Sequence, residues 1–193
     1  PWASLLAGDE GFVTSPDDVT LVIDARPARG DALEGALVEG ADLGILGIEL
    51  ATRRRNRVNG RIAGAAGALS FRVDQAFGNC PQYIHPRAWR RVDGSSDATG
   101  TRTQRLTDLQ QDWIRRADTF FIASGIGGSS EDPTSGMDAS HRGGAAGFVH
   151  VAGDDRIAFP DYAGNNHFNT IGNLVRDARE GFKFVDFARG SGV

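Results

Sequence analysis

Short apolar runs separated by polar turns dominate the chain, and this pattern predicts a mainly β protein. The clearest run, residues 120–124, has the composition of a buried strand. β-Branched or apolar segments at residues 19–23 and 42–50 are typical of further strands, as are residues 156–160 and 181–187. Close spacing of such runs with few helical patterns favours a β-barrel or sandwich with peripheral helices.

Three stretches have the spacing of short amphipathic helices. The longest covers residues 101–117, where Thr101 and Gln104 have the spacing of a capping box. Two shorter helices are predicted at residues 31–40 and Asn169–Arg176. The apolar positions of the longest helix share one face, namely Leu106, Leu109, Trp113 and Ala117.

Polar and glycine-rich segments between the predicted strands are typical of turns and loops. The pair Asn59-Gly60 predicts a hairpin turn, and the Gly/Ser-rich residues 93–100 are the best candidate for a linker. A long polar loop, residues 125–146, is predicted between the strand at residues 120–124 and the next apolar run at residues 147–149.

Similarity between the two ends of the chain predicts a tandem duplication. Asp24 aligns with Asp161 and Leu37 with Leu174 at one constant offset, and residues 2–8 resemble the strand at residues 120–124. We predict two copies, residues 1–100 and 101–193, the first incomplete at its N-terminus and the second at its C-terminus. The long loop is then an insertion in the second copy, and pockets between two such copies are common ligand sites.

Composition narrows the range of functions. The net charge of −4 excludes nucleic-acid binding by bulk electrostatics. The single cysteine, Cys80, excludes an internal disulfide and a cysteine-rich metal site, and we interpret it as a buried, inert thiol. None of the four histidines has a paired metal spacing. No apolar run is long enough to span a bilayer, which predicts a cytoplasmic protein without a membrane partner.

Positive charge is concentrated at residues 53–57. On a strand, Arg53, Arg55 and Arg57 share one face, and guanidinium groups bind phosphate in a bidentate manner. The alternative is a solvated edge strand whose charge prevents aggregation.

Two further segments carry candidate ligand groups. His141 and Arg142 precede Gly143-Gly144, whose backbone N–H groups are predicted to converge on an anion. His141 is then a hydrogen-bond donor or a general acid/base, and the alternative is a flexible loop with a solvated histidine. Polar residues also cluster at the start of the helix at Asn169–Arg176, which predicts an anion site or, alternatively, simple capping. The candidate caps are Asn165, Asn166 and Asn169.

These segments, in this order, resemble the pyridoxamine 5'-phosphate oxidase-like FMN-binding split-barrel superfamily. Residues 54–60 resemble its pattern R-Q-V-R-[IV]-x-G, and residues 77–84 resemble F/Y-G-N-C-P-K-Y-I of a flavin-nucleotide-binding subgroup. Residues 138–144 resemble D-x-S-H-R-G-G, and residues 160–174 resemble P-D-Y-x-G-N-x-x-F-x-T-x-G-N-L. The resemblance covers nearly the whole chain.

The resemblance implies tandem Greek-key split barrels that form a pseudo-dimer, with FMN at the interface between the barrels. It implies that the isoalloxazine and ribityl chain are lined by Ala123, Ser124, Pro160, Asp161 and Tyr162. The phosphate or ribityl end lies near Asn165, Asn166 and Phe168. Asn79 and Tyr83 reach the site from the opposing half, and His141 with Arg142 lies at the ring or the substrate mouth.

The implied function is an FMN-dependent oxidoreductase acting on a small-molecule substrate, with reduced nicotinamide as a candidate donor and no metal. Residues 120–124 lack the basic residues of true pyridoxamine phosphate oxidases, so the resemblance does not extend to that substrate. The alternative is a non-catalytic module that binds flavin, deazaflavin or haem. A homodimer is a candidate assembly.

Overall fold

A computed structural model describes residues 1–78, 80–88, 100–127, 135–164, 166–188 and the backbone of residues 191–192. The fold is mainly β, and every strand pairing in this part of the chain is antiparallel. The two helices there are α1 (Asp108–Arg116) and α2 (Asn169–Arg176). The strands are β1 (Val13–Asp17), β2 (Thr20–Ile23), β3 (Asp42–Glu49), β4 (Arg54–Gly64), β5 (Leu69–Gly78), β6 (Thr119–Ile126), β7 (Gly136–Gly143), β8 (His150–Val151), β9 (Ile157–Ala158), β10 (Gly181–Lys183), β11 (Val185–Asp186) and β12 (Ser191–Gly192).

The first half forms a five-stranded sheet in the order β1-β2-β5-β4-β3. The predicted hairpin turn at Asn59-Gly60 is wrong, because both residues lie inside β4 opposite Gly44 and Leu43 of β3. The chain instead reverses at residues 50–53, where Arg53 adopts a φ of 58°. Gly60 is needed within the sheet because a Cβ there would collide with the backbone of Arg72 in β5.

The second half contains a three-stranded sheet in the order β10-β6-β7. Strand β6 confirms the predicted strand at residues 120–124. The predicted loop at residues 125–146 is wrong over most of the described part, because residues 136–143 form β7 and pair with β6 from Thr119–Gly143 to Ile126–Gly136. Of the described sheets, none closes on itself.

Three other predicted elements differ from the structure. Residues 2–8 are irregular, and residues 31–40 form successive turns, with Gly35 and Gly40 at φ values of 76° and 82°. The helix predicted over residues 101–117 covers only Asp108–Arg116 and is capped by Thr107. The helix at Asn169–Arg176 is confirmed. Most of the predicted linker, residues 93–99, lies outside the described residues.

The described residues bury two separate apolar clusters, one on each side of the predicted boundary at residue 100. Ile23, Ile62 and Leu69 form the first cluster. The second surrounds Phe120, which is fully buried and contacts the rings of four other phenylalanines. Those rings are Phe148, Phe159, Phe182 and Phe184. The exact domain boundaries stay a prediction, and the first half lacks the strand and the helix with which the copies were aligned.

The two halves pack directly on one another. Strand β3 lies against β7 so closely that a Cβ on Gly44 would be 2.6 Å from the Cα of Asp138. Arg57 of β4 forms an ion pair with the same aspartate, and both side chains are about 95% buried, at 5% and 4% exposure. The core of the interface therefore contains a buried pair of opposite charges.

Residues 80–88, which we call the clasp segment, continue from the first half across the second. His85 Nε2 donates to the Gly144 carbonyl oxygen at 2.7 Å. The Arg87 guanidinium contacts both carboxylate oxygens of Asp118, at 2.5 and 2.7 Å, and lies 4.2 Å from the ring centroid of Phe187. Among the described elements, neither helix has the length and apolar character needed to cross a membrane.

Candidate functional site

A cleft with a volume of about 370 Å³ lies where the two halves meet. Its walls come from β4, the clasp segment, β7 and the stretch that leads from residue 160 into α2. Because these elements are far apart in sequence, the cleft exists only when both halves are folded against each other.

Most of the residues predicted for a ligand site lie at this cleft. They are Tyr83, His141, Arg142, Pro160, Asp161, Tyr162, Asn166 and Phe168. Ala123 and Ser124 are buried on β6 and do not line the cleft, and Ser124 Oγ instead accepts a hydrogen bond from Asn173 Nδ2 at 3.1 Å. Asn79 and Asn165 lie outside the described residues.

Strand β4 presents Arg55 and Arg57 to the cleft, as the alternation of side chains on a strand predicts. Arg53 lies in the preceding turn and is not part of this face. Burial, reinforced by the charge of Arg57, lowers the pKa of the Arg55 guanidinium to about 10, so this group remains protonated at neutral pH. Arg57 also lies 4.9 Å from the ring centroid of Phe77.

His141 of β7 is 4% exposed and faces a group of cations. Its Nδ1 lies 3.2 Å from a terminal nitrogen of Arg55. Burial lowers the pKa of His141 to about 3, with further contributions from the positive charges of Arg55, His85, Arg87 and Arg142. The imidazole is therefore neutral at pH 7. Its Nε2 has no hydrogen-bond partner among the described residues.

Arg142 forms an ion pair with Asp161 at 2.9 Å, and this pair joins β7 to the segment that precedes α2. The Nε atom of Arg142 is buried, and no residue in the described ranges accepts its hydrogen bond. The predicted convergence of N–H groups at Gly143-Gly144 is wrong, because the Gly144 N–H donates to the Asp118 carbonyl oxygen at 3.0 Å. Gly143 instead permits close approach to the backbone of Tyr83.

Aromatic side chains form the mouth of the cleft. Tyr83 and Tyr162 stack with a centroid distance of 5.2 Å and an interplanar angle of 24°. The Tyr83 hydroxyl donates to the Ala163 carbonyl oxygen at 2.9 Å, which fixes the clasp segment to the opposite wall. Phe168 is 60% exposed beside them. A flat ligand would find aromatic faces here rather than aliphatic ones.

Backbone strain is concentrated at the same place. In the described part of the chain four non-glycine residues have positive φ, and three of them line the cleft: Tyr83 at 65°, Asn166 at 58° and Phe168 at 52°. The left-handed region is unfavourable for a tyrosine or phenylalanine, and such residues occur frequently at binding sites.

The start of α2 borders the cleft with Asn169, Thr170 and Ile171. The predicted asparagine cap is wrong for the described residues, because the N-cap is Phe168 and no side chain caps the helix. The first N–H groups of a helix have no partner within the helix. The positive end of the α2 dipole is therefore directed at the cleft wall.

Sequence reasoning assigned no role in this site to Ser140 and His167, which line the cleft, and interpreted Cys80 as a buried thiol. Cys80 is half-buried and lies in the cleft wall, so that interpretation is wrong as to burial. Cys80 could have been assigned to the cleft from the sequence, because it lies three residues before Tyr83, which was predicted to reach the site. Among the described residues no group of His, Cys, Asp or Glu side chains could hold a metal ion.

Comparisons with known proteins give no match to a protein-family model, to a curated protein or to a solved structure.

Proposed function

We propose that the chain is an FMN-binding oxidoreductase of the pyridoxamine 5'-phosphate oxidase-like type that acts on an unidentified small substrate. The main support for the proposal is that residues from separate motif-like segments meet at one cleft. Tyr83, the pair His141-Arg142 and the pair Asp161-Tyr162 come from three separate segments that resemble flavin-binding motifs, and all of them line the same cavity.

The groups in the cleft fit the chemistry of FMN. Its phosphate requires positive charge and N–H donors, which Arg55, Arg142 and the uncapped start of α2 supply. Its flat ring system requires aromatic or apolar faces, which Tyr83 and Tyr162 supply. The volume of about 370 Å³ lies within the range of about 300–1,000 Å³ that is usual for ligand pockets.

The proposal extends to the architecture of tandem Greek-key split barrels packed as a pseudo-dimer. Strands β3, β4 and β5 follow one another in the chain and are neighbours in the sheet. Strand β2, which a long connection joins to β3, lies on the other side of β5. The sheet order β2-β5-β4-β3 is that of a Greek key whose strands are numbered from β5 back to β2. The two separate apolar clusters support two packing units.

In this proposal, different residues of the cleft bind different parts of the ligand. Arg55 and Arg142 attract and orient an anionic group, while the stacked tyrosines and the clasp segment exclude water from the ring. FMN, when bound, supplies the hydride and electron transfer itself, so the reaction needs no protein nucleophile. The proposal includes a reduced nicotinamide as donor and a cytoplasmic location, with neither nucleic acid nor a membrane as a partner.

A second candidate function, a non-catalytic module that holds flavin, deazaflavin or haem, is favoured by one specific observation. Of the two side chains assigned to catalysis, one is held in an ion pair and the other is uncharged. Arg142 is paired with Asp161, and His141 is neutral at pH 7 because burial lowers its pKa to about 3. Neither group is an efficient proton donor at neutral pH. Steady-state turnover with a reduced nicotinamide distinguishes the enzyme from the module.

The test of flavin binding is titration of FMN with the purified full-length chain, followed by FMN fluorescence and visible absorption. We expect saturable quenching, and we expect Arg142→Gln to weaken binding by about tenfold or more, as for the loss of a hydrogen bond to a charged group. Arg105→Gln is the matched control, because Arg105 also pairs with aspartates but lies outside the cleft. A colourless protein that cannot be reconstituted with FMN would falsify the proposal.

A further inference from the structure

We propose that Arg55 is a positioning residue that fixes the tautomer of His141, so that the imidazole offers its Nε2–H as a hydrogen-bond donor to the ligand of the cleft. The ligand atom opposite His141 is accordingly an acceptor, such as a carbonyl oxygen, an unprotonated ring nitrogen or a phosphate oxygen. That FMN is this ligand rests on the proposed function, whereas the tautomer does not.

The contact between Arg55 and Nδ1 determines which nitrogen carries the proton. A guanidinium has only donors, so at a separation of 3.2 Å the Nδ1 atom must be the acceptor. An imidazole that accepts at Nδ1 and carries a single proton holds it on Nε2. The low pKa of His141, caused by burial and by the surrounding cations, is consistent with this singly protonated ring.

The opposite edge of the ring has a donor without an acceptor. Nε2 is buried, and none of the described residues offers its N–H an acceptor. A buried N–H without a partner is unfavourable, and a ligand acceptor that reaches it removes that penalty on binding. The residue lines the cleft, so a ligand bound there is the available source of such an acceptor.

The surroundings hold the ring in place. Phe121 contacts it edge to face at a centroid distance of 5.8 Å. On another side, a Cβ on Gly143 would lie 3.0 Å from His141 Cε1, so Gly143 is in close contact with the ring. The two nearby arginines serve different aspartates, because Arg57 pairs with Asp138 and Arg142 with Asp161. Arg55 is the guanidinium that contacts Nδ1 of the histidine.

The tautomer is measured directly on the full chain without added ligand. In a long-range ¹H–¹⁵N spectrum at neutral pH, the signals of His141 are assigned by their loss in His141→Gln. We expect the pattern of a neutral Nε2–H imidazole. Arg55→Met, which removes the donor while retaining an extended side chain, is expected to give a mixture of both tautomers, and Arg55→Lys is expected to restore the Nε2–H form.

Arg54→Met is the matched control, because Arg54 is the preceding residue on β4 but is exposed and lies outside the cleft. It is expected to leave the His141 signals unchanged. An Nδ1–H or doubly protonated His141 in the wild-type protein overturns the proposal without any variant. So does an Arg55→Met protein whose folded spectrum shows the wild-type tautomer.

The hydrogen bond from the Nε2–H of His141 to the ligand is tested with FMN as the probe. Glutamine places an amide N–H near the position of Nε2, whereas asparagine places it near Nδ1. We expect His141→Gln to retain FMN affinity within about threefold and His141→Asn to weaken it by about tenfold, because only the second leaves the acceptor unsatisfied. Equal affinities of the two variants overturn the donor role.

The two proposals fail in different ways. If the wild-type protein binds no FMN, then the proposed function is overturned together with the hydrogen bond to FMN, while the spectrum still decides the role of Arg55. If FMN binds and the tautomer is Nδ1–H, the proposed function stands and the role of Arg55 is overturned.

Discussion

At the scale of single residues, the cleft is characterised by three arginines that contact different groups. Arg57 and Arg142 each have an aspartate partner, while Arg55 is directed at a neutral histidine. Burial is the main reason why the pKa of His141 is low, and the charges of Arg55 and Arg142 lower it further, because an additional positive charge in a buried site would be repelled. The protonation of His141 therefore couples the stability of the fold to pH.

The pH prediction concerns this histidine. Its pKa is about 3 in the folded chain and 6.5 in an unfolded one, so between these values the unfolded state binds the additional proton. The contribution to stability is complete above pH 6.5 and falls as the pH decreases, by at most about 1.4 kcal/mol per pH unit. Urea unfolding at pH 7 and pH 5 measures the loss. His141→Gln should lose less between these two values; an equal loss in both proteins would contradict the assignment.

At the scale of elements, β7 shows why the sequence alone did not predict every strand. Its side chains include Asp138, Ser140, His141 and Arg142, a composition that is typical of a loop. The first three are buried and Arg142 is half-buried, because partners from the first half and from the segment preceding α2 meet them, and no local pattern reveals such partners. By contrast β6, whose apolar side chains are buried in their own core, was predicted correctly.

The start of α1 shows a second limit of prediction. Thr101 with Gln104 and Thr107 with Gln110 have the same capping-box spacing, and only the second pair forms the box. A tertiary contact competes with the first pair, because the N–H of Leu106, which a longer helix would use for an internal hydrogen bond, donates instead to the carbonyl oxygen of Asp154 at 2.8 Å.

The cap prediction follows from this difference. Thr107→Ala should reduce the free energy of unfolding by about 1 kcal/mol, because the Gln110 N–H loses its acceptor. Thr101→Ala should have no measurable effect, since Thr101 lies outside the helix. Urea unfolding of both variants checks the expectation, and a larger effect at Thr101 would refute the observed helix start.

The packing of β3 against β7 gives a further prediction. Gly44→Ala should destabilise the chain by about 1–3 kcal/mol, because the added methyl would meet backbone atoms of Asp138 that cannot move independently. Gly47→Ala is the control on the same strand, since a Cβ there would have its nearest neighbour, the Asn56 carbonyl oxygen, at 3.9 Å. Similar unfolding midpoints for the two variants would show that the strands are not in close contact at Gly44.

At the scale of the whole molecule, the structure depends on contacts that cross between its halves. The apolar clusters do not share residues, and contacts between the halves include the Arg57–Asp138 pair, the β3–β7 contact and the clasp segment. Most of the residues that the motif resemblance named for a site line this one cleft. The resemblance implied an interface between the halves but not the Arg57–Asp138 pair within it, because long-range pairing of buried charges leaves no periodic signal in either segment.

The buried ion pair can be tested for its role in joining the halves. Arg57→Met should lower the free energy of unfolding by about 3–5 kcal/mol, because it leaves the Asp138 carboxylate buried without its counter-charge. Asp138→Asn in the Arg57→Met background should recover part of the loss. Arg105→Met, which removes an exposed pair, should leave the unfolding midpoint nearly unchanged. Equal effects at the two arginines would contradict the importance of the buried pair.

The left-handed backbone of Tyr83, Asn166 and Phe168 has a consequence for protein engineering. Replacing Phe168 with glycine would relax its backbone, so a screen that selects only for thermal stability would favour this change. The same change would remove an exposed aromatic face from the mouth of the cleft. Optimising this chain for stability alone would therefore tend to remove the aromatic mouth of the cleft first.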